Sequence, residues 1–151
     1  REMLKNERVV GVKNSSMPVQ DIQTFASIAG PEKIVFNGPD EQFLAGRLMG
    51  AAGGIGGTYG AMPELFLRLN QLIENKELDR ARELQYAIND IIAKLCSCHG
   101  HMYAVIKAVL KINEGLELGG VRSPLSNLIA TDQPAVEEAA ALIRATKEKF
   151  L

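Results

Sequence analysis

Along the first half of the chain, short apolar runs alternate with polar turns and amphipathic stretches. Val9-Val10-Gly11-Val12 gives way to polar Lys13-Asn14-Ser15-Ser16, and Pro18 opens a helix predicted to run through Ile28. Ile34-Val35-Phe36 is followed by Asn37-Gly38-Pro39-Asp40-Glu41, then by a helix with Phe43, Leu44 and Leu48 on one side. Ala51 to Ile55 leads into Gly56-Gly57-Thr58-Tyr59-Gly60, and Pro63 opens a helix carrying Leu65, Phe66, Leu69, Leu72 and Ile73. Proline suits the first helical turn, where its missing N–H has no intrahelical partner to lose. Strand, turn and helix, three times over, is the βα rhythm of a parallel sheet.

The second half is helical. Leu78, Ala81, Leu84, Ile88, Ile91, Ile92 and Leu95 recur at helical spacing. Another helix is predicted from Met102 to Asn113, with Gly115 as its stop. After a loop holding Arg122-Ser123-Pro124-Leu125, Asp132 is expected to cap a last helix, Ala135 to Phe150. The composition shift near Leu78 divides the chain into a partial (β/α) barrel, residues 1–76, and a C-terminal helical extension, 77–151. Three parallel strands cannot close a barrel, and a complete (β/α)8 barrel takes about 250 residues. The opening residues, 1–8, read like the tail of a helix whose beginning lies elsewhere. The expected fold is therefore α/β, the C-terminal half of a TIM (β/α)8 barrel followed by appended helices.

Composition narrows the partners. The chain is 46% hydrophobic and 23% charged with net charge -1, so it has no polyelectrolyte face for nucleic acid or an anionic membrane. No apolar run approaches the roughly 20 residues that span a bilayer, and no signal peptide is read. Cys96 and Cys98 are too close in sequence to staple a fold, which makes a reducing cytoplasm the default.

Side chains alternate along a strand, so Val9, Gly11 and Lys13 share one face and Val10 and Val12 the other. If the 10/12 pair packs under the helices, Lys13 points into the barrel at the C-terminal end of its strand, with Gly11 leaving room beside its stem. Barrel enzymes place catalytic groups at that end. A desolvated amine there is a nucleophile for a carbonyl. Pattern alone equally fits a lysine snorkelling out of a strand end, the commoner case.

Asp40 and Glu41 could accept hydrogen bonds from a polyol, or could serve the helix start as an N-cap and acidic first turn. The glycines of GGIGGTYG lack the order and the Lys-Ser/Thr of a phosphate loop, and giving room to a bound substrate suits them better. Cys96, Cys98, His99 and His101 crowd six positions without a distant second pair, unlike a zinc site. An adventitious ion is the most they suggest.

Gly11-Val12-Lys13, Asn37-Gly38-Pro39-Asp40-Glu41 and Gly54-Ile55-Gly56-Gly57-Thr58-Tyr59 fall in order at barrel spacing. With these motifs and Val121-Arg122-Ser123-Pro124-Leu125, the chain from about Glu7 to Leu151 resembles the N-acetylneuraminate lyases (sialic acid aldolases). These belong to the dihydrodipicolinate synthase-like pyruvate aldolase family. The resemblance implies a class I aldolase that cleaves N-acetylneuraminate to N-acetylmannosamine and pyruvate without metal or cofactor. It makes Lys13 the Schiff-base lysine and puts Ser15 near the substrate. Gly38, Asp40 and Glu41 fall where the hydroxylated tail binds, and Gly57 falls at a substrate position that is serine in some members. The family's proton-relaying tyrosine and its carboxylate-binding Gly-Ser/Thr-Thr-Gly-Glu loop match nothing in these 151 residues. The chain alone is thus expected to lack a complete active site. Its expected partners are small-molecule substrate, copies of itself in a homo-tetramer, or the missing N-terminal half-barrel. The alternatives are another pyruvate-dependent aldolase or synthase of the dihydrodipicolinate synthase type, and a catalytically inert half-barrel.

Overall fold

The structure, a computed structural model, describes residues 2–151. Three short strands, β1 (Gly11–Asn14), β2 (Ile34–Asn37) and β3 (Gly53–Gly54), pair in parallel in the order β1-β2-β3. Between and after them come helices α1 (Gln20–Ala29), α2 (Phe43–Leu48), α3 (Pro63–Glu74), α4 (Leu78–Leu95), α5 (Met102–Glu114) and α6 (Gln133–Phe150). By packing, one unit runs to Gly56 and takes in Asn70–Gln85, and a second holds Gly57–Leu69 and Tyr86–Leu151. Among the described residues no helix is long and apolar enough to cross a membrane.

In the first unit the register sets Gly11 beside Ile34, Lys13 beside Phe36, and Phe36 beside Gly53. Paired residues in register point the same way, so Gly11, Lys13, Ile34, Phe36 and Gly53 share one face. On the other, Val35 joins Ile22 and Ala51 in a core against which Val19, Ala26 and Ala29 pack. Gly30 ends α1 at φ 71°, a conformation natural only to glycine.

The second unit is built on α5 and α6, whose Val105, Val109, Ala139 and Ile143 are fully buried. Gly115, at φ 70°, closes α5 as the pattern predicts, and its N–H returns to Lys111 O. His101 caps the start of α5, accepting from Tyr103 N through Nδ1 at 3.2 Å.

Several expectations need correcting. β1 begins at Gly11, two residues later than the valines suggest, because Gly11 is the first residue in register with β2. Val10 is 69% exposed and Val12 37%, so the pair is only partly covered, although Val12 lines a cavity with Phe25 and Ile28 of α1. Val12 lies on β1, an edge strand of the sheet, and Val10 just before it. Gly11 is needed for strand contact rather than for space beside a lysine stem. A Cβ there would collide with Ile34 O and lie 3.1 Å from Ile34 C.

The third strand shrinks to Gly53–Gly54, paired with Phe36 and Asn37 and flanked by Ala52 N on Val35 O and Ile55 N on Asn37 O, and glycines weaken a strand interior. Of the expected helix tail at residues 1–8 there is one 3-10 turn, Met3–Lys5, and Arg1 lies outside the described residues. Asp132 precedes α6 but makes no side-chain cap to it. Its carboxylate instead accepts from Ile129 N, His99 N and Gly100 N at 3.0, 2.8 and 3.1 Å, and lies 3.1 Å from His99 Nδ1.

Candidate active site

β1 ends in Lys13 and Asn14, and the turn after it carries Ser15 and Ser16. Lys13 stands exposed on the sheet face that α1 and the Ile22–Val35–Ala51 core leave uncovered, beside Phe36. Asn14 points the opposite way and is buried. The turn is held by its own polar side chains. Ser16 Oγ lies 2.6 Å from Asp21 Oδ2 and 2.8 Å from Asn14 Oδ1, and its one proton goes to the carboxylate, the stronger acceptor.

The turn after β2 lies at the same end of the sheet. Gly38 N donates to Asn14 O at 2.7 Å. A Cβ on Gly38 would overlap Ser15 Oγ and come within 2.6 Å of Asn14 O, so only glycine allows the two turns to touch. Lys13, Ser15 and Gly38 are therefore brought together by backbone contact between neighbouring strands. Asn37, fully buried, donates through Nδ2 to Pro39 O at 2.7 Å and fixes the direction of the turn. Gly46 of α2 lies directly over Asn37, with room for no methyl.

Asp40 and Glu41 follow in a 3-10 turn, Asp40–Gln42, that runs into α2. Asp40 is 6% exposed. Gly56, after β3, packs on its carboxylate, again where no Cβ fits. Gln42 does not cap α2 with its side chain. It reaches back instead, Nε2 donating to Ser16 O at 3.2 Å, and ties the acidic turn to the lysine turn.

Gly57 belongs to the second packing unit. There a Cβ would come 2.9 Å from the Tyr103 hydroxyl and 3.1 Å from Met102 Cε. A serine at this position would crowd both side chains.

Pattern reading missed Gly56 and Gln85. Gln85 is 5% exposed, accepts from Leu44 N at 2.9 Å and donates to Asp40 O at 3.2 Å. Its signal was present: it is a polar residue at the i+4 position from Ala81 and i-3 from Ile88, inside the apolar stripe of α4.

The Cys/His cluster lies in the second unit. Burial, and then the Asp132 charge, pushes the Cys98 thiol above its ordinary pKa. Among the described residues no three His, Cys, Asp or Glu side chains are gathered as metal ligands.

Comparison with known proteins adds to this geometry. The profile of the Dihydrodipicolinate synthetase family matches residues 1–143. The N-acetylneuraminate lyase of Mediterraneibacter gnavus is 63% identical over 150 residues, covering 99% of this chain and 48% of that protein. A solved structure described as the Ruminococcus gnavus sialic acid aldolase catalytic lysine mutant superposes with a TM-score of 0.98 at 63% identity, covering 99% of this chain and 49% of its own. A Fusobacterium nucleatum N-acetylneuraminate lyase complexed with pyruvate superposes with a TM-score of 0.78 at 27% identity, over 99% of this chain and 47% of that one. The chain spans about half the length of the relatives it matches.

Proposed function

This chain belongs to the dihydrodipicolinate synthetase family, and from that premise we propose that it carries the imine-forming lysine and the tail-binding turn of an N-acetylneuraminate lyase-type aldolase. The carrying observation is that Lys13 lies one residue from the end of β1 on the uncovered sheet face, while Ser15, Gly38, Asp40 and Glu41 follow at the same end. The R. gnavus structure described as a catalytic lysine mutant supports a lysine in this role.

In this reading the neutral Lys13 amine attacks the C2 ketone of open-chain N-acetylneuraminate, and loss of water leaves a protonated imine. That cation takes up the electron pair released when a base removes the C4 hydroxyl proton and the C3–C4 bond breaks. N-acetylmannosamine leaves, and the enamine is protonated at C3 and hydrolysed to pyruvate. Ser15 and Gly38 flank the imine, and Asp40 and Glu41 accept hydrogen bonds from the sugar hydroxyls.

The base, a tyrosine by family resemblance, matches no tyrosine of this chain. Attack uses the uncharged amine, a form that burial favours, and the rest of the barrel supplies that burial. Residues 1–76 then act as the barrel part and 77–151 as the helical extension. The whole works in the cytoplasm as a homo-tetramer or with the complementary half-barrel.

The test is borohydride reduction in the presence of pyruvate. Trapping adds about 72 Da, the reduced pyruvate imine, to Lys13, and Lys13→Met abolishes it with the thermal midpoint unchanged because the side chain is exposed. An unmodified Lys13 at saturating pyruvate, in the chain joined to the half of the R. gnavus relative that it does not match, refutes the reading.

A further inference from the structure

We propose that Gln85 is a positioning residue that holds the Asp40–Glu41 turn at the geometry needed to bind the hydroxylated tail of the substrate. This rests on the assignment of Asp40 and Glu41 to that tail.

The first N–H groups of a helix have no intrahelical acceptor and are usually satisfied by a capping side chain. In α2 the residue at that position, Gln42, makes no side-chain cap and donates to Ser16 O instead. The Leu44 N–H would be left without a partner. Gln85, brought from α4 and 41 positions further along the chain, supplies it: Oε1 accepts from Leu44 N at 2.9 Å. The same amide donates from Nε2 to Asp40 O at 3.2 Å. One planar group thus grips both ends of the Asp40–Leu44 segment, and its geometry sets their separation.

Gln85 is 5% exposed. Water cannot replace these bonds cheaply there: losing the partner would leave the buried Leu44 N–H unsatisfied and Asp40 O with the Phe43 N–H alone. The turn would then rearrange to find new partners. The Asp40 backbone carries the Asp40 carboxylate with it, and the close packing of Gly56 on that carboxylate leaves no slack. Lys13 is held differently, by the β1–β2 ladder and the Asn14–Ser16–Asp21 contacts. The two halves of the site are linked through Gly38 N on Asn14 O and Gln42 Nε2 on Ser16 O, bonds in which Gln85 takes no part, so Gln85 governs tail binding and leaves imine formation alone.

The experiment uses this chain joined to the half of the R. gnavus relative that it does not match. Gln85→Leu is expected to raise KM for N-acetylneuraminate about tenfold, the loss of roughly one charged hydrogen bond. The rate of borohydride trapping with pyruvate should stay within about twofold. Gln85→Glu keeps the acceptor for Leu44 N and loses the donor to Asp40 O, so it should give a smaller rise in KM. It also serves if the leucine variant fails to fold. In the 151-residue chain, amide exchange at Leu44 should quicken in Gln85→Leu and less in Gln85→Glu, while that of Asn14 and Ser16 does not change in either.

An unchanged KM in both variants, or equal loss of cleavage and trapping, overturns the proposal. If the unsubstituted protein traps no pyruvate at all, the aldolase reading falls and this role falls with it. Trapping with no Gln85 effect sinks the role alone.

Discussion

Replacing Gly56 by alanine puts a methyl where the Asp40 carboxylate lies. The new Cβ would fall inside the van der Waals envelope of Asp40 Oδ1 and Cγ and 2.7 Å from Oδ2. Ordinary carbon–oxygen contact needs well over 3 Å, so the carboxylate must retreat by about 2 Å. The backbone of Gly56 is not in the positive-φ region, so the substitution tests space alone. Asp40 has little freedom to yield, being 6% exposed and anchored at its carbonyl by Gln85.

A displacement of that size removes Asp40 from any sugar hydroxyl it accepts from. A hydrogen bond to a charged group is worth about 1.5–3 kcal/mol, which corresponds to roughly 10- to 150-fold in kcat/KM for N-acetylneuraminate. Lys13 lies on β1 and contacts none of these atoms, so pyruvate trapping should persist. Steady-state cleavage and borohydride trapping, run on Gly56→Ala and the unsubstituted protein joined to the complementary half of the R. gnavus relative, measure the two effects. A kcat/KM within twofold of the unsubstituted protein would show that Asp40 does not bind the tail from this position.

Two further expectations concern stability. Ile22 is fully buried in the core with Val35 and Ala51, so Ile22→Ala should cost about 2–5 kcal/mol and Ile22→Val about 0.5–1.5 kcal/mol in urea unfolding. A cost below that of a single methyl for the alanine variant would mean α1 is not seated on the sheet. Asp132 titrates at about 2 in the folded chain, held down first by the Ile129 N–H and further by the His99 and Gly100 N–H groups and the His99 ring, against the opposing effect of burial. Because its folded pKa lies below the unfolded value, its stabilisation is fully present above about pH 4 and is lost as the pH falls towards 2. The midpoint of thermal unfolding should drop over that window, and Asp132→Asn should flatten the drop; an equally steep profile in the variant would assign the acid sensitivity to other carboxylates.

What the sequence determined by itself were the features governed by near neighbours. Strand alternation put Lys13 and Gly11 on one face, and the register of β1 with β2 agrees with that. Helical spacing located α3 and α4, and Gly115 was read as a stop because a left-handed residue after a helix favours glycine. The three motifs in βα order carried the family, which the profile over residues 1–143 matches.

Tertiary structure decided whatever depends on partners distant in the chain. β1 starts at Gly11 and β3 shrinks to two residues because a strand extends only where a neighbour meets it. Asp132, read as a local cap for the last helix, accepts instead from Ile129 N and from Gly100 N and His99 N, 32 and 33 residues away. Gln85 has its role only because Leu44 N and Asp40 O are brought to it across 41 and 45 residues. Periodicity reports which side of an element is buried. It carries no information about which atom waits on the other side, and that atom determines whether a buried amide is a defect or a clamp.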